Sequence, residues 1–423
     1  MDLIDSLKDT ISPPYDVISE KGQADLYERS PFNMIRLEYP IKEEGTNTYE
    51  QSANTLKSWE KSRVLQLDPE DSLYLVKHSF TFEGKHFDRY ELIGLIHLEP
   101  WSSGIVLPHE HTSAAAKNDR LEMLRKTQTN LSPIMAIYDD SNLLLQKILD
   151  EITETEPTIA EFSTNEEENY SLWKIDDQTI IKNIQSGFTG SLYIADGHHR
   201  YETALDYRSE SVTTNSDISE GSREYIMGSI TMIQDPGLIS LPYHRILHNL
   251  NSDQTQRMQR QIDVYFNIEE IDITNKPSAE VANIFHIIMK KSSDPVIGFM
   301  EYNSSTLKIL TIKNPELIAG LASSEAPIWS ELSPCLFSDV LLQPALGILQ
   351  QEAEAKGYLS YTRVTEEAIR KVQEKECDQI FLLDGVPIEK MTSIAQSGER
   401  LPHKSTYFHP KVPTGFVLNR LTD

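Results

Sequence analysis

Three short segments concentrate the residue types that chemistry needs. The first is Ala195-Asp196-Gly197-His198-His199-Arg200-Tyr201. The apolar run 192–195 reads as a strand, and Gly197 permits a tight turn without a Cβ clash. A helix beginning near His198 offers the unpaired N–H groups and the positive dipole end of its first turn. Arg200 adds a planar, permanently charged fork suited to phosphate oxygens. Asp196, Gly197, His198, His199 and Arg200 therefore describe an oxyanion site, although an Asp-capped helix with surface histidines uses the same residues.

The second segment is Pro108-His109-Glu110-His111-Thr112, followed by Lys117, Asp119 and Arg120. A carboxylate between imidazoles can orient a hydroxyl nucleophile or bind a divalent cation. No HExxH helix completes a zinc site. The third runs from Leu401 to Lys411 and brings Lys404, Ser405, Thr406 and Lys411 together, with no acidic residue over 401–413. Such a span opposes the charge of the whole chain, the pattern of a local anion site. Near the start, Ile11-Ser12-Pro13-Pro14-Tyr15-Asp16-Val17 is a rigid turn from which Tyr15 and Asp16 can face a site, and Asn33 and Arg36 follow near Leu37-Glu38. The Tyr243-His244-Arg245 step has no assigned role.

The elements that position these residues follow from periodicity and chain breakers. Residues 19–30 and 48–62 read as helices, and 72–76 and 90–98 as strands flanking a hairpin at Glu83-Gly84. A helix over 113–126, a strand over 132–138 and a helix over 143–152 come next. The acidic stretch 150–168 reads as a solvated connection. The strand 192–195 passes straight into a helix over 198–208, the polar segment 209–223 reads as a flexible surface loop, and 225–233 resumes as a strand. Residues 252–311 follow the order helix, strand, helix, strand, strand, which suits a small α+β unit. Beyond Pro334 the pattern predicts a long helix over 339–356, a helix at 366–376, a strand at 379–383, a helix at 388–396, and a terminal loop and strand over 398–418. The fold class is α+β (mixed α/β). Its expected divisions are a core over 1–248, a small α+β subdomain over 249–330, and a C-terminal segment over 331–423 that contributes Lys404–Lys411 to the site.

Composition narrows the function classes. The 423 residues include 65 Asp and Glu against 39 Lys and Arg, a formal charge of −26. That length suits two or three domains, and a hydrophobic fraction of 39% excludes a disordered chain. The acidity argues against a general nucleic-acid binder but leaves room for a phosphate pocket with a few local cations. Two cysteines, Cys335 and Cys377, make neither a disulfide framework nor a CxxC metal site. The start, MDLIDSLKDT, lacks the basic and apolar regions of a signal peptide, and no apolar run approaches the ~20 residues that span a bilayer. A soluble, cytoplasmic protein with no membrane partner is expected; nothing in the pattern specifies an oligomeric state.

The strand–DGHHR–helix junction resembles the second signature of the ParB/sulfiredoxin-like superfamily, in which an Arg and polar neighbours at a helix start hold nucleotide phosphates. One branch of it consists of free-serine kinases. PPYDV, PHEHT with KNDR, IADGHHRYETAL and LPHKSTYFHPK together resemble a long bacterial family, described as a domain of unknown function and related to that branch, from about residue 11 to 417. The ParB-like similarity itself rests on 192–205. The helix–turn–helix half of ParB has no counterpart, and His199 stands before Arg200 where sulfiredoxins place cysteine. Neither chromosome partitioning nor sulfinic-acid repair is implied.

What the resemblance implies is a ParB/sulfiredoxin-like catalytic core over 1–248. The implied activity is a small-molecule kinase that moves a phosphoryl group from ATP, ADP or pyrophosphate to the hydroxyl of free L-serine, giving O-phosphoserine, with Mg²⁺ bridging donor oxygens. Donor contacts then fall to Asp196, Gly197, His198, His199, Arg200, Lys404, Ser405, Thr406 and Lys411. Substrate contacts fall to Tyr15, Arg36, Thr112 and Arg120. The catalytic role falls to Glu110, with Asp16 as the other carboxylate, and to His109. No Walker A or kinase glycine-rich loop occurs, so the donor site is not a standard ATP fold. The competing readings are a non-catalytic nucleotide-binding switch and a metal-dependent phosphohydrolase using His109, Glu110, His111 and Asp196.

Overall fold

The hairpin at Glu83-Gly84 joins the two longest strands of the largest sheet. Both turn residues have positive φ, 47° and 74°, the backbone twist that a two-residue loop needs to match its strands. Leu73–Phe82 and Lys85–His97 pair antiparallel from Tyr74↔Ile93 to Phe82↔Lys85. The computed structural model describes residues 3–112, 114–164, 168–212, 221–292, 294–323 and 326–421. It divides into two compact units, one of residues 1–108, 112–239 and 410–423, the other of 109–111 and 240–409.

In the first unit, eight strands lie in the order Val106–Pro108, Leu192–Asp196, Ile134–Tyr138, Tyr225–Met232, Lys85–His97, Leu73–Phe82, Asn169–Ile175, Ala160–Ser163. The sheet is mixed: Ile134–Tyr138 runs parallel to Tyr225–Met232 and antiparallel to Leu192–Asp196. Alternation along each strand gives the sheet two faces. One buries Leu75, Leu92, Ile134, Ile194 and Ile230 against Leu145 and Leu149, Ile181 and Ile184, and Tyr201 and Ala204, from the helices Leu144–Thr153, Gln178–Gly187 and His198–Val212. The other buries Val76, Ile93, Leu172 and Met227 with Ile11, Phe416 and Val417. The two ends of the chain thus meet that second face, and Ser12 and Thr414 exchange backbone hydrogen bonds there.

The second unit is built on a six-stranded sheet in the order Phe266–Asp272, Thr306–Ile312, Ile297–Glu301, Gln379–Leu382, His244–Leu247, Leu359–Thr362. Helices Ser278–Lys291 and Thr365–Gln373 cover one face through Val281, Phe285, Ala368, Ile369 and Val372. The sequence expectation separates 249–330 from 331–423, yet strands of both segments share this sheet.

Mixed α/β architecture is observed as expected, with three local differences. The acidic connection over 150–168 contains the strand Ala160–Ser163, whose Ala160 and Phe162 turn inward while Glu161 and Ser163 face out; flanking acids mask this alternation. The helix expected over 339–356 begins earlier, at Ser333, winds as a π-helix over Leu336–Leu342 and stops at Gly347. Gly347 adopts φ 74°, the left-handed turn that ends helices, and a separate helix spans Gln350–Ala355. The helix from His198 continues to Val212; residues 213–220 of the expected loop, 165–167 of the acidic connection and Ser113 lie outside the described residues. Among the described residues, no helix is long and apolar enough to cross a membrane.

Candidate active site

Leu192–Asp196 ends in the turn that the sequence suggests. Gly197 has φ 92°, and a Cβ built there would stand 2.9 Å from Ile134 Cγ2 and 3.0 Å from Arg200 Nε and Nη2. Glycine is therefore required twice, for the dihedral and for the guanidinium folded over it. Its carbonyl accepts the Tyr201 N–H at 3.0 Å and starts the helix. Arg200 Nη2 donates to Asp196 Oδ2 at 2.8 Å; Nη1 donates to Ser132 Oγ at 3.0 Å and to the Pro133 carbonyl at 2.6 Å. The other oxygen of Asp196, Oδ1, accepts from Lys411 Nζ. One carboxylate thus sits between two cations, all mostly buried, and the cluster keeps a net positive charge.

A cavity of about 50 Å³ adjoins this cluster, lined by Arg200, Ser132, Thr203, Asn130, Arg120 and Glu38 among others. Arg120 forks onto Asp119 Oδ2 at 2.6 and 2.8 Å and reaches Glu38 Oε2 at 3.2 Å. Its guanidinium lies 3.9 Å from the centre of the Tyr15 ring. Burial raises the Tyr15 pKa against the opposing fields of Arg120 and Arg200, so the phenol stays neutral. Glu38 is 2% exposed, and its Oε1 has no hydrogen-bond partner among the described residues. A buried carboxylate oxygen without a donor is rare in folded proteins. Glu38 here lines a cavity walled by two arginines.

Next along the same sheet face lies a buried ionic group that the sequence reading missed. Arg89 and Glu91 are fully buried and pair at 2.6 Å. Burial alone would raise the Glu91 pKa, but Arg89 and His78 outweigh it and hold the carboxyl at about 2. Ser229 Oγ donates to Glu91 Oε2 at 3.3 Å, and Arg89 Nη1 donates to the Pro410 carbonyl at 2.8 Å. Pro410 and Lys411 are thereby fastened by Arg89 and Asp196 in turn. The readable signal was Arg-Tyr-Glu-Leu-Ile (89–93): strand alternation puts Arg89 and Glu91 on the face of the apolar Ile93.

The remaining candidates fall as follows. His198 is buried and His199 half-buried on the helix start. Thr112 Oγ1 donates to Glu202 at 2.6 Å, a carboxylate also held by Lys117 at 3.0 Å. Arg36 donates to the carbonyls of Tyr27 and Ser30 at 2.7 and 3.3 Å and lies over the Tyr27 ring. Asp16 is exposed on a single helical turn.

His109 and Glu110 belong to the second unit, with Lys404, Ser405 and Thr406. His109 is buried, with Nε2 2.8 Å from Thr406 Oγ1. Glu110 Oε1 accepts the Lys404 backbone N–H at 2.8 Å, and the His109 carbonyl accepts the Leu401 N–H at 2.7 Å. Ser405 Oγ donates to the Pro402 carbonyl at 2.5 Å. These contacts stitch 109–111 to 401–406. The structure therefore brings Lys411, Tyr15 and Arg120 into the unit of Asp196–Arg200 and places Lys404, Ser405 and Thr406 in the other.

Among the described residues, no group of three or more His, Cys, Asp or Glu is placed to hold a metal ion. Both Asp196 oxygens already accept from cations, so the residues present do not fit a protein-held Mg²⁺.

The first unit is a mixed sheet with a strand–glycine–helix junction one strand in from its edge. The chain belongs to the family described as protein of unknown function (DUF1015), whose profile matches residues 2–333. No curated protein matches the sequence significantly. Among solved structures, it is similar to a conserved hypothetical protein from Pyrococcus furiosus (13% identity, 76% of this chain and 93% of that one, TM-score 0.38). It is also similar to a free serine kinase in complex with AMP (11% identity, 75% and 86%, TM-score 0.38). A third is SbnI with a C-terminal truncation from Staphylococcus aureus (9% identity, 76% and 84%, TM-score 0.37).

Proposed function

We propose that the first unit is a phosphotransferase that moves a phosphoryl group from a small phosphate donor to the hydroxyl of free L-serine, giving O-phosphoserine. The observation that carries this reading is the cavity between Arg120 and Arg200 with the unpartnered Glu38 Oε1 in its wall. Phosphoryl transfer asks mainly for positioning and charge neutralisation. Arg200 and Lys411 supply the charge next to Asp196, and Arg120 adds a third cation. Glu38 Oε1 takes the proton of the attacking hydroxyl as its oxygen bonds to phosphorus and the bond to the leaving phosphate breaks. Glu110, whose Oε1 accepts the Lys404 N–H, and Asp16, which is exposed, stay as the other candidate carboxylates. Serine as the acceptor rests on the sequence resemblance.

ATP, ADP and pyrophosphate remain the candidate donors. The cavity of about 50 Å³ between the arginines suits the phosphoryl end of any of the three. Mg²⁺ arrives with the donor as part of the substrate. The phosphohydrolase reading rests on His109, Glu110, His111 and Asp196, of which His109 bonds Thr406 and Glu110 bonds the Lys404 amide. The test is a matrix of ATP, ADP and pyrophosphate against free amino acids with Mg²⁺, read by phosphorus NMR. O-phosphoserine supports the reading; phosphate release without an acceptor favours a hydrolase, and binding without turnover favours a nucleotide switch.

A further inference from the structure

Arg245, on the strand His244–Leu247 of the second unit, is fully buried. Its Nη1 donates to the carbonyls of Tyr243 and Lys404 at 3.2 and 2.9 Å. Its Nε and Nη2 have no hydrogen-bond partner among the described residues. The Tyr361 and Phe337 rings lie 4.7 and 5.7 Å from the guanidinium, which leaves the in-plane edge of the fork unused. Nε–H and Nη2–H leave that edge side by side, the geometry that grips two oxygens of one carboxylate. Burial lowers the Arg245 pKa against the fields of Tyr361, Glu354 and Glu110, as expected for a cation lacking a direct counter-ion.

Two unsatisfied acceptors accompany these donors. The Gln350 and Gln379 Oε1 atoms are buried without a hydrogen-bond partner among the described residues. Gln350 Nε2 donates at 3.0 Å to the hydroxyl of Tyr361, whose ring stacks on Arg245. Gln379 is two residues from Phe381, the cross-strand partner of Arg245, and so lies on the same sheet face. Orphaned N–H donors and orphaned carbonyl acceptors therefore share one side of the second sheet. A dianion fits poorly, because Glu354 and Glu110 oppose a second negative charge. Acetate would satisfy the fork and leave both carbonyls unmet.

We propose that Arg245, Gln350 and Gln379 form a buried site for a small monocarboxylate that carries a hydrogen-bond donor on the adjacent carbon. The carboxylate bridges Arg245 Nε and Nη2, and the neighbouring O–H or N–H donates to a glutamine carbonyl. This site does not depend on the phosphotransfer reading, whose residues belong to the first unit.

Thermal unfolding of the full chain at fixed pH and ionic strength tests it, with glycolate, glycine, acetate and phosphate as probes. Binding to the folded state alone raises the unfolding temperature of the second unit by about 3–6 °C for each tenfold excess of ligand over its Kd. Glycolate or glycine should do so well beyond acetate, and phosphate least. In Arg245→Met the response should vanish; removing an unpaired buried charge in favour of an apolar chain is usually tolerated. Should that variant not fold, Gln379→Met should fold and lose the preference for glycolate over acetate. No carboxylate response in the wild type, an equal response in Arg245→Met, a stronger response to phosphate, or an unchanged preference in Gln379→Met each overturns the proposal.

Discussion

Lys411 forms a buried ion pair with Asp196, a residue 215 positions earlier in the chain. Asp196 also holds Arg200, so the pair ties the last strap of the chain to the start of a helix. Lys411→Met removes a buried cation from Asp196 and should destabilise the first unit by about 1–3 kcal/mol. A double-mutant cycle with Asp196→Asn in urea should return a coupling well above the 0–1 kcal/mol of an exposed pair. A coupling near zero would reduce Lys411 to a solvated terminal lysine.

Gly197→Ala is a second test of the junction. The added methyl meets Ile134 and the Arg200 guanidinium at about 3 Å, and φ 92° strains any L side chain. A loss of about 1–3 kcal/mol is expected, with weaker donor binding because Arg200 must shift. Calorimetry that finds stability and donor affinity both unchanged would show that Arg200 has no fixed place in binding.

The second unit should respond to acid through His244. Burial, then His286 and Arg245, lower its pKa to about 3. Its Nε2 lies 2.9 Å from Thr365 Oγ1, and its Nδ1 accepts the Leu383 N–H at 3.1 Å, so the neutral ring is the one that fits. The unfolded chain binds a proton near pH 6.5, whereas the folded state does not until about 3. Stability is therefore full above pH 6.5 and falls as pH drops towards 3, by up to ~1.4 kcal/mol per unit. Glu91 acts in the first unit at lower pH: its contribution is present above the unfolded value near 4.5 and is lost as pH falls towards 2. Denaturant melts between pH 7 and 4 should show a slope that His244→Asn flattens; an unchanged slope would assign the acid sensitivity elsewhere.

The sequence displays the anion junction because its strand, glycine and helix start are contiguous, so every residue from Asp196 to Arg200 is visible in one window. It conceals Glu38, which ends the four-residue helix Ile35–Glu38 and becomes special only when Arg120, from a distant helix, takes one of its oxygens and leaves the other. His109 and Glu110 illustrate the converse. Their residue types suggest catalysis, and partners from 401–406, some 290 residues on, bond them, a pairing no local window displays. Helix ends and strands were readable wherever caps and alternation are local; the break at Gly347 was hidden by an apolar run that continues helical spacing up to it.

The most direct measurement compares wild type with Glu38→Gln in phosphorus NMR, using the preferred donor, L-serine and Mg²⁺, alongside calorimetric donor binding. The wild type should form O-phosphoserine. Glu38→Gln should lose ~10²-fold or more in turnover while donor affinity holds, and Glu110→Gln should turn over almost normally. No O-phosphoserine from the wild type with any of the three donors would contradict the phosphotransferase reading. Full turnover in Glu38→Gln would contradict the role of its free carboxylate oxygen.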